Sequence, residues 1–254
     1  MSGHSKWATI KHKKGAADAR RGKIFTKLIK EITVAARGGG ADPDGNPRLR
    51  AAIQAAKAEN MPADNIKRAI QKGTGELPGA TYEEAVYEGY GPGGVAMLVE
   101  VATDNKNRTT SEIRHIFTKH GGNLGAAGCV AWMFQKRGYV VVAKGNANEE
   151  ALLDCVTSGG ADDMSEDGSN WEIFAAPENF QQVVNCLKSS NITPAAAEVT
   201  MLPQSYVNLT GKAAEQMLRL VEELEDHEDV QHVYGNFDIE EAELHALLPH
   251  AGSK

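Results

Sequence analysis

The sequence predicts an α+β fold in three domains: a small N-terminal helical domain and two α+β domains of ferredoxin-like type, one of them discontinuous. Three observations lead there. Apolar residues recur at helical spacing through about residue 72, and from residue 82 short β-branched and aromatic runs alternate with helical patterns. Two of the resulting strand–helix pieces, on either side of a self-sufficient unit, are each too small to bury a sheet alone.

Residues 2–14 carry no periodicity and read as a flexible arm. From Arg20 to Arg37, Ile24, Phe25, Leu28, Ile29, Ile32, Ala35 and Ala36 fall on one helical face, and Arg20, Lys23, Lys27, Lys30 and Arg37 fall nearly opposite as a basic stripe. Gly38-Gly39-Gly40 ends that helix. Asn46-Pro47 caps and opens a second through Leu49, Ile53 and Ala56; Pro62 opens a third through Ile66, Ala69 and Ile70, closed by Gly73. These make a basic helical domain at 1–72, and 73–81 has the composition of a linker.

Strands are expected at 82–90 and 95–103, joined by the tight turn Gly91-Pro92-Gly93-Gly94, followed by a helix opened by a capping box from Thr109 to Glu112 and a strand at Val130–Phe134. From Tyr139 the order is strand, helix (148–158), strand (171–175), helix (178–189), strand (197–202). Beyond Pro203 come a strand at YVNLT, a helix with Met217, Leu220 and Leu224, and a strand at 230–237. Residues 82–136 plus 204–240 are therefore assigned to one discontinuous domain, 137–203 to an inserted domain, and 241–254 to a loosely docked tail.

The formal charge of −7 conceals a division. Residues 1–72 hold 16 of the 27 Lys and Arg and only six of the 34 Asp and Glu, a balance of +10 that leaves −17 on the rest. Such a chain meets a polyanion with one end and turns the other away. Cys129, Cys155 and Cys186 form no C-x-x-C, which fits a reducing compartment and small buried side chains. No run approaches the roughly 18–20 apolar residues that span a bilayer, and the basic start continues into a patterned helix instead of a cleavage site, so a cytoplasmic location is expected.

Gly91-Pro92-Gly93-Gly94 is not followed by Gly-Lys-Ser/Thr; His115 and His120, like His227 and His232, stand five apart, about 140° around a helix, and read as surface residues. The carboxylates run together at Glu222, Glu223, Glu225, Asp226, Glu228 and Asp229, the pattern of a solvated helix end. With no nucleophile motif present, no enzyme, cofactor or metal is expected.

What remains is phosphate binding. Lys6, Lys11, Lys13, Lys14, Arg20, Arg21, Lys23, Lys27 and Lys30, with Arg37, Arg48 and Arg50, could supply about six to eight phosphate contacts and a log–log salt slope near −5 to −7 on duplex DNA. Trp7 and His12 could stack on an unpaired base. A second candidate contact site lies in the polar stretch 104–125, with Asn105, Lys106, Asn107, Arg108, Arg114 and Lys119. A membrane surface is the weaker alternative, because the apolar face of the first helix is needed as core. No zinc-finger spacing or aromatic ribonucleoprotein signature is visible, so backbone attraction is argued without a base code.

Several long segments then carry a resemblance: GHSKWATIKHKK (3–14), RRGKIFTKLIKEI (20–32), NPRLRAAI (46–53), YEGYGPGG (87–94), DNKNRTTSEIRHIFTKHGGNLG (104–125) and EDVQHVYGNF (228–237). Together they resemble the YebC/PmpR family over essentially the whole chain. The resemblance implies three domains and a cytoplasmic regulator, with members described as DNA-binding transcriptional regulators. Mitochondrial relatives act as translational activators, and bacterial ones are linked to stalled ribosomes. It carries over no catalytic residue. The expected partner is accordingly nucleic acid, either DNA or ribosomal and transfer RNA, with the ribosome itself as a further partner under the translational reading; a non-catalytic regulator of transcription is placed first.

Overall fold

One buried asparagine organises the start of the fold. The computed structural model describes residues 17–247, and helices α1 (Ala17–Gly39), α2 (Pro47–Ala58) and α3 (Ala63–Gly73) come first. Asn46 accepts a hydrogen bond from the Leu49 amide at 3.0 Å and donates to Ala35 O at 2.8 Å and Gly40 O at 3.0 Å. A single side chain thus caps α2 and holds the end of α1. Ile32, Ala35 and Ala36 meet Leu49, Ala52 and Ala56 of α2 and Ile66 and Ala69 of α3 in one core. The approach of α1 to α3 needs Gly73, where a Cβ would lie 2.4 Å from Thr33 O.

The first sheet is antiparallel, with strand order β3-β1-β2-β9: β1 (Glu83–Tyr90), β2 (Ala96–Thr103), β3 (Asn123–Leu124) and β9 (Val230–Gly235). It joins segments more than a hundred residues apart. Helices α4 (Lys106–Lys119) and α7 (Gly211–Asp226) cover one face, packing Ile113 and Phe117 with Met217, Leu220 and Leu224 over Met97, Val99 and Val233. A smaller cluster of Leu98, Val130, Phe134 and Tyr234 lies apart from that core.

The second sheet runs β5-β6-β4-β7, with β4 (Phe134–Ala143), α5 (Glu149–Ser158), β5 (Ala161–Asp167), β6 (Asn170–Ala175), α6 (Phe180–Ser189) and β7 (Ala196–Pro203) in chain order. This is the split βαβ arrangement of a ferredoxin-like unit. Leu152, Val156, Val183 and Leu187 fill its core, and the Cys155 and Cys186 sulfurs, both free thiols, meet at 2.8 Å.

The architecture matches the expected α+β class, with differences in detail. The expected strand at Val130–Phe134 does not form as a separate element; a 3-10 turn at Ala131–Met133 leads directly into a ten-residue β4 that starts at Phe134. Helix α4 begins three residues before the expected capping box, because Asn105 accepts from the Arg108 amide and leaves Thr109 fully buried. β5 was hidden by its acids, since one face of an edge strand tolerates charge. Of YVNLT only Val207–Asn208 forms a strand, β8, and it pairs in parallel with β10 (Phe237–Asp238) outside the main sheet. Residues 241–247, expected as loose tail, form α8 (Glu241–Leu247), whose Leu244 is fully buried in the first core.

Gly73→Ala should overpack the α1–α3 contact and lower stability by about 1–3 kcal/mol. Urea unfolding checks this, and an unchanged midpoint would mean that the helices are not held so closely.

Candidate nucleic-acid interface

The basic stripe does not face solvent along its length. Its i, i+4, i+7 lysines, Lys23, Lys27 and Lys30, meet the acidic end of α7 and the turn into β9. Lys23 lies 3.5 Å from Asp226, and Lys27 donates to Glu225 O at 2.5 Å, a carbonyl in the last turn of α7 where the helix leaves its acceptors unpaired. Lys30 is 7% exposed; it donates to Asp229 Oδ1 at 2.5 Å and Glu228 O at 3.1 Å, with its Nζ 5.5 Å from the Tyr82 ring centre. Part of the carboxylate run that read as a solvated helix end thus meets the stripe, through the Asp226 and Asp229 side chains and the Glu225 and Glu228 carbonyls.

Asp229 is the centre of this contact. Its Oδ2 accepts from Thr109 at 2.6 Å, Arg108 at 3.0 Å and Thr103 at 3.1 Å, while its backbone carbonyl takes the Ala102 amide. Burial works to raise its pKa, but the hydrogen bonds from Lys30, Thr109 and Arg108 more than reverse this and hold it well below the ordinary carboxylate range. His227, whose Nδ1 accepts the Asp229 amide and whose Nε2 meets Glu112 at 3.0 Å, completes the surroundings. Ligand atoms of Glu112, His227 and Asp229 lie within 4.8 Å of one another, yet the chain's own Lys30 and Arg108 already fill the cation positions on Asp229.

The remaining expected residues divide. Lys6, Trp7, Lys11, His12, Lys13 and Lys14 lie outside the described residues, as do the side chains of Arg20 and Arg21 on the first turns of α1. Arg37 donates to Tyr82 O at 3.1 Å, beside a cavity of about 310 Å³ between α1, the end of α3 and residues 75–82. Arg48 bridges Glu31 of α1, at 2.7 Å, and Glu84 of β1, at 2.6 Å, and these hydrogen bonds raise its pKa further. Arg50 is exposed, 3.5 Å from Asp44 O.

At the second expected site, Asn105 caps α4, Arg108 pairs with Asp104 and Asp229, and Lys119 lies 2.8 Å from Glu223, which His120 also meets at 2.6 Å. Burial is outweighed at Glu223 by Lys119 and His120, which hold its carboxyl low. Lys106, Asn107 and Arg114 remain exposed.

Sequence reasoning passed over Lys57 on α2 and Lys67 and Arg68 on α3, all exposed and without an ion-pair partner among the described residues. The signal was available for Lys57, seven residues after Arg50 and so on the same side of α2.

Comparison with known proteins places these pieces. Residues 5–76 match the TACO1/YebC protein N-terminal domain, and residues 82–237 match the TACO1/YebC second and third domain. The chain belongs to the TACO1/YebC family. It is 64% identical over 243 residues to a probable transcriptional regulatory protein of Acidobacterium capsulatum, covering 96% of this chain and 98% of that one. A probable transcriptional regulatory protein of Geobacter sulfurreducens is 58% identical over 248 residues, covering 98% and 100%. The crystal structure of a conserved hypothetical protein from Aquifex aeolicus superposes with a TM-score of 0.78 at 48% identity, over 90% of this chain and 95% of that chain.

In this TACO1/YebC chain the boundary between the two matched regions is bridged by Lys30–Asp229 and Arg48–Glu84. Removing one partner of a buried ion pair strands the other charge. Lys30→Met and Asp229→Asn should each cost about 3–5 kcal/mol, and the double variant less than the sum, in urea unfolding; strict additivity would mean that the two groups are not coupled. The pH dependence follows from the lowered Asp229 pKa. Its contribution is complete above the unfolded value of about 3.9 and is lost as pH falls below it toward the folded value, so Asp229→Asn should flatten the acid limb of stability.

Proposed function

We propose that this chain is a non-catalytic, cytoplasmic nucleic-acid-binding regulator, of transcription in the first instance, that grips phosphate with its N-terminal helical domain. The observation that carries this is the division of charge: +10 on residues 1–72 against −17 on the remainder. The names of the relatives as probable transcriptional regulatory proteins support the regulatory reading.

The docked stripe refines which cations are available. Lys23, Lys27 and Lys30 are engaged with the α7–β9 turn and serve first to orient the helical domain. Phosphate contacts then come from the arm (Lys6, Lys11, Lys13, Lys14), from Arg20 and Arg21, and from the exposed Arg50, Lys57, Lys67 and Arg68. Each phosphate neutralised releases condensed counterions, so affinity falls with salt according to the number of such contacts.

A second reading, a translation factor on ribosomal or transfer RNA, is favoured by the exposed Lys106, Asn107 and Arg114 of α4, outside the helical domain. Structured RNA is recognised largely by shape and backbone, and a two-site grip suits it. Crosslinking in cells followed by sequencing separates the two: discrete promoter DNA for the first, ribosomal and transfer RNA for the second.

The charge assignment is tested by a salt titration on a short DNA duplex. Changing Lys57, Lys67 and Arg68 together to Ala should weaken binding at every salt concentration and flatten the log–log slope by up to about 2.7, at roughly 0.9 per contact. An unchanged slope would mark these residues as an ordinary solvated face.

A further inference from the structure

We propose that Trp132 and Tyr90 form a stacking platform for an unpaired base of a single-stranded nucleic acid, a contact distinct from the phosphate grip of the helical domain. The inference rests on the nucleic-acid reading above.

Trp132 is 70% exposed although the segment that carries it is tightly held. Buried Glu88 of β1 accepts the amides of Gly128 at 2.5 Å and of Val130 and Ala131 at 2.8 Å, and these three bonds outweigh the effect of burial to hold its carboxyl low. Val130 and Met133 anchor the same segment in the cluster with Leu98, Phe134 and Tyr234. The indole Nε1 donates to Cys129 O at 3.2 Å, and the Tyr90 hydroxyl donates to the same carbonyl at 3.3 Å. One oxygen thus gathers the polar tips of both aromatic side chains, and among the described residues neither ring stacks on another. A rigid loop that presents the largest apolar side chain to water forgoes its burial.

Charge says what fits. Residues 113–148 contain Arg114, Lys119, Lys136, Arg137 and Lys144 and no Asp or Glu, inside the part of the chain that is otherwise strongly acidic. Lys119, Arg137 and Lys144 pair with acids from other segments, whereas Lys136, four residues beyond Trp132, and Arg114 are exposed and unpaired among the described residues. The exposed residues that precede the turn carrying Trp132 in the sequence, Ala126, Ala127 and Gly128, are small. Exposed aromatic faces on a segment that carries lysine and arginine and no acid suit a base with its phosphate. Paired bases inside a duplex have no free face to offer, which selects a single strand.

The test uses the full chain with Trp7→Phe and Trp171→Phe, leaving Trp132 as the sole indole. Single-stranded RNA and DNA oligonucleotides of one sequence, and the DNA duplex of that sequence, are titrated while indole fluorescence and oligonucleotide anisotropy are followed. The expected result is quenching by a single strand and none by the duplex. Trp132→Ala should weaken single-strand binding about 5- to 100-fold, as loss of one base stack does, with duplex affinity and thermal unfolding unchanged; Trp132→Phe should recover most of the loss. The RNA and DNA arms show which strand the platform prefers. Single-strand affinity unmoved by Trp132→Ala, or binding without quenching, overturns this proposal and leaves the phosphate grip standing. No binding of any oligonucleotide at low salt would overturn both.

Discussion

The placement of Lys30 against Asp229 is the constraint on which the relation of helices to sheets depends. A lysine and an aspartate separated by 199 residues meet where both are almost wholly buried. Their attraction must offset the cost of taking two charges out of water, and the geometry supplies the help needed. Asp229 is also bonded by Thr103, Thr109 and Arg108, which ties the end of β2 and the start of α4 to the turn before β9. Lys30 brings α1 to the same point. With four donors on its two oxygens, the carboxylate gives the helical layer one defined seat on the first sheet, where a purely apolar contact would permit sliding.

The same economy recurs at Glu88. A carboxylate within the sheet would be costly alone, but three backbone amides of the loop after β3 converge on it and fix that loop's shape. Both buried acids bind segments distant in sequence, and both leave something projecting outward. Around Asp229 it is the helical domain with its free cations; above Glu88 it is an indole ring. The polar interior therefore sets the directions in which the outer surfaces point, which is how this fold relates to its proposed binding role.

Much of the architecture was legible because local patterns speak for local structure. The spacing of Ile32, Ala35 and Ala36, the Asn46-Pro47 pair and the β-branched run at Tyr139–Val142 each mark an element whose residues lie close in sequence. Reading failed where long-range contact overrode the local signal. Thr109 looked like a helix cap, yet it is buried because Asp229 needs its hydroxyl. Leu244 looked like part of a tail because the core it enters is assembled largely from residues before 235. The acidic strand β5 was invisible because its pairing with β6, not its composition, makes it a strand.

The sequence by itself determined the class of fold, the membership of the TACO1/YebC family and the asymmetry of charge, since these rest on periodicity, extended motifs and counting. It could not tell a stripe of lysines that meets solvent from one that meets the chain's own acids. Helical spacing places Lys23, Lys27 and Lys30 on one face, but what that face touches is decided by the end of α7 nearly two hundred residues later. Only the tertiary structure could decide it, because electrostatic partners are chosen by distance in space, and periodicity carries information only within a single element.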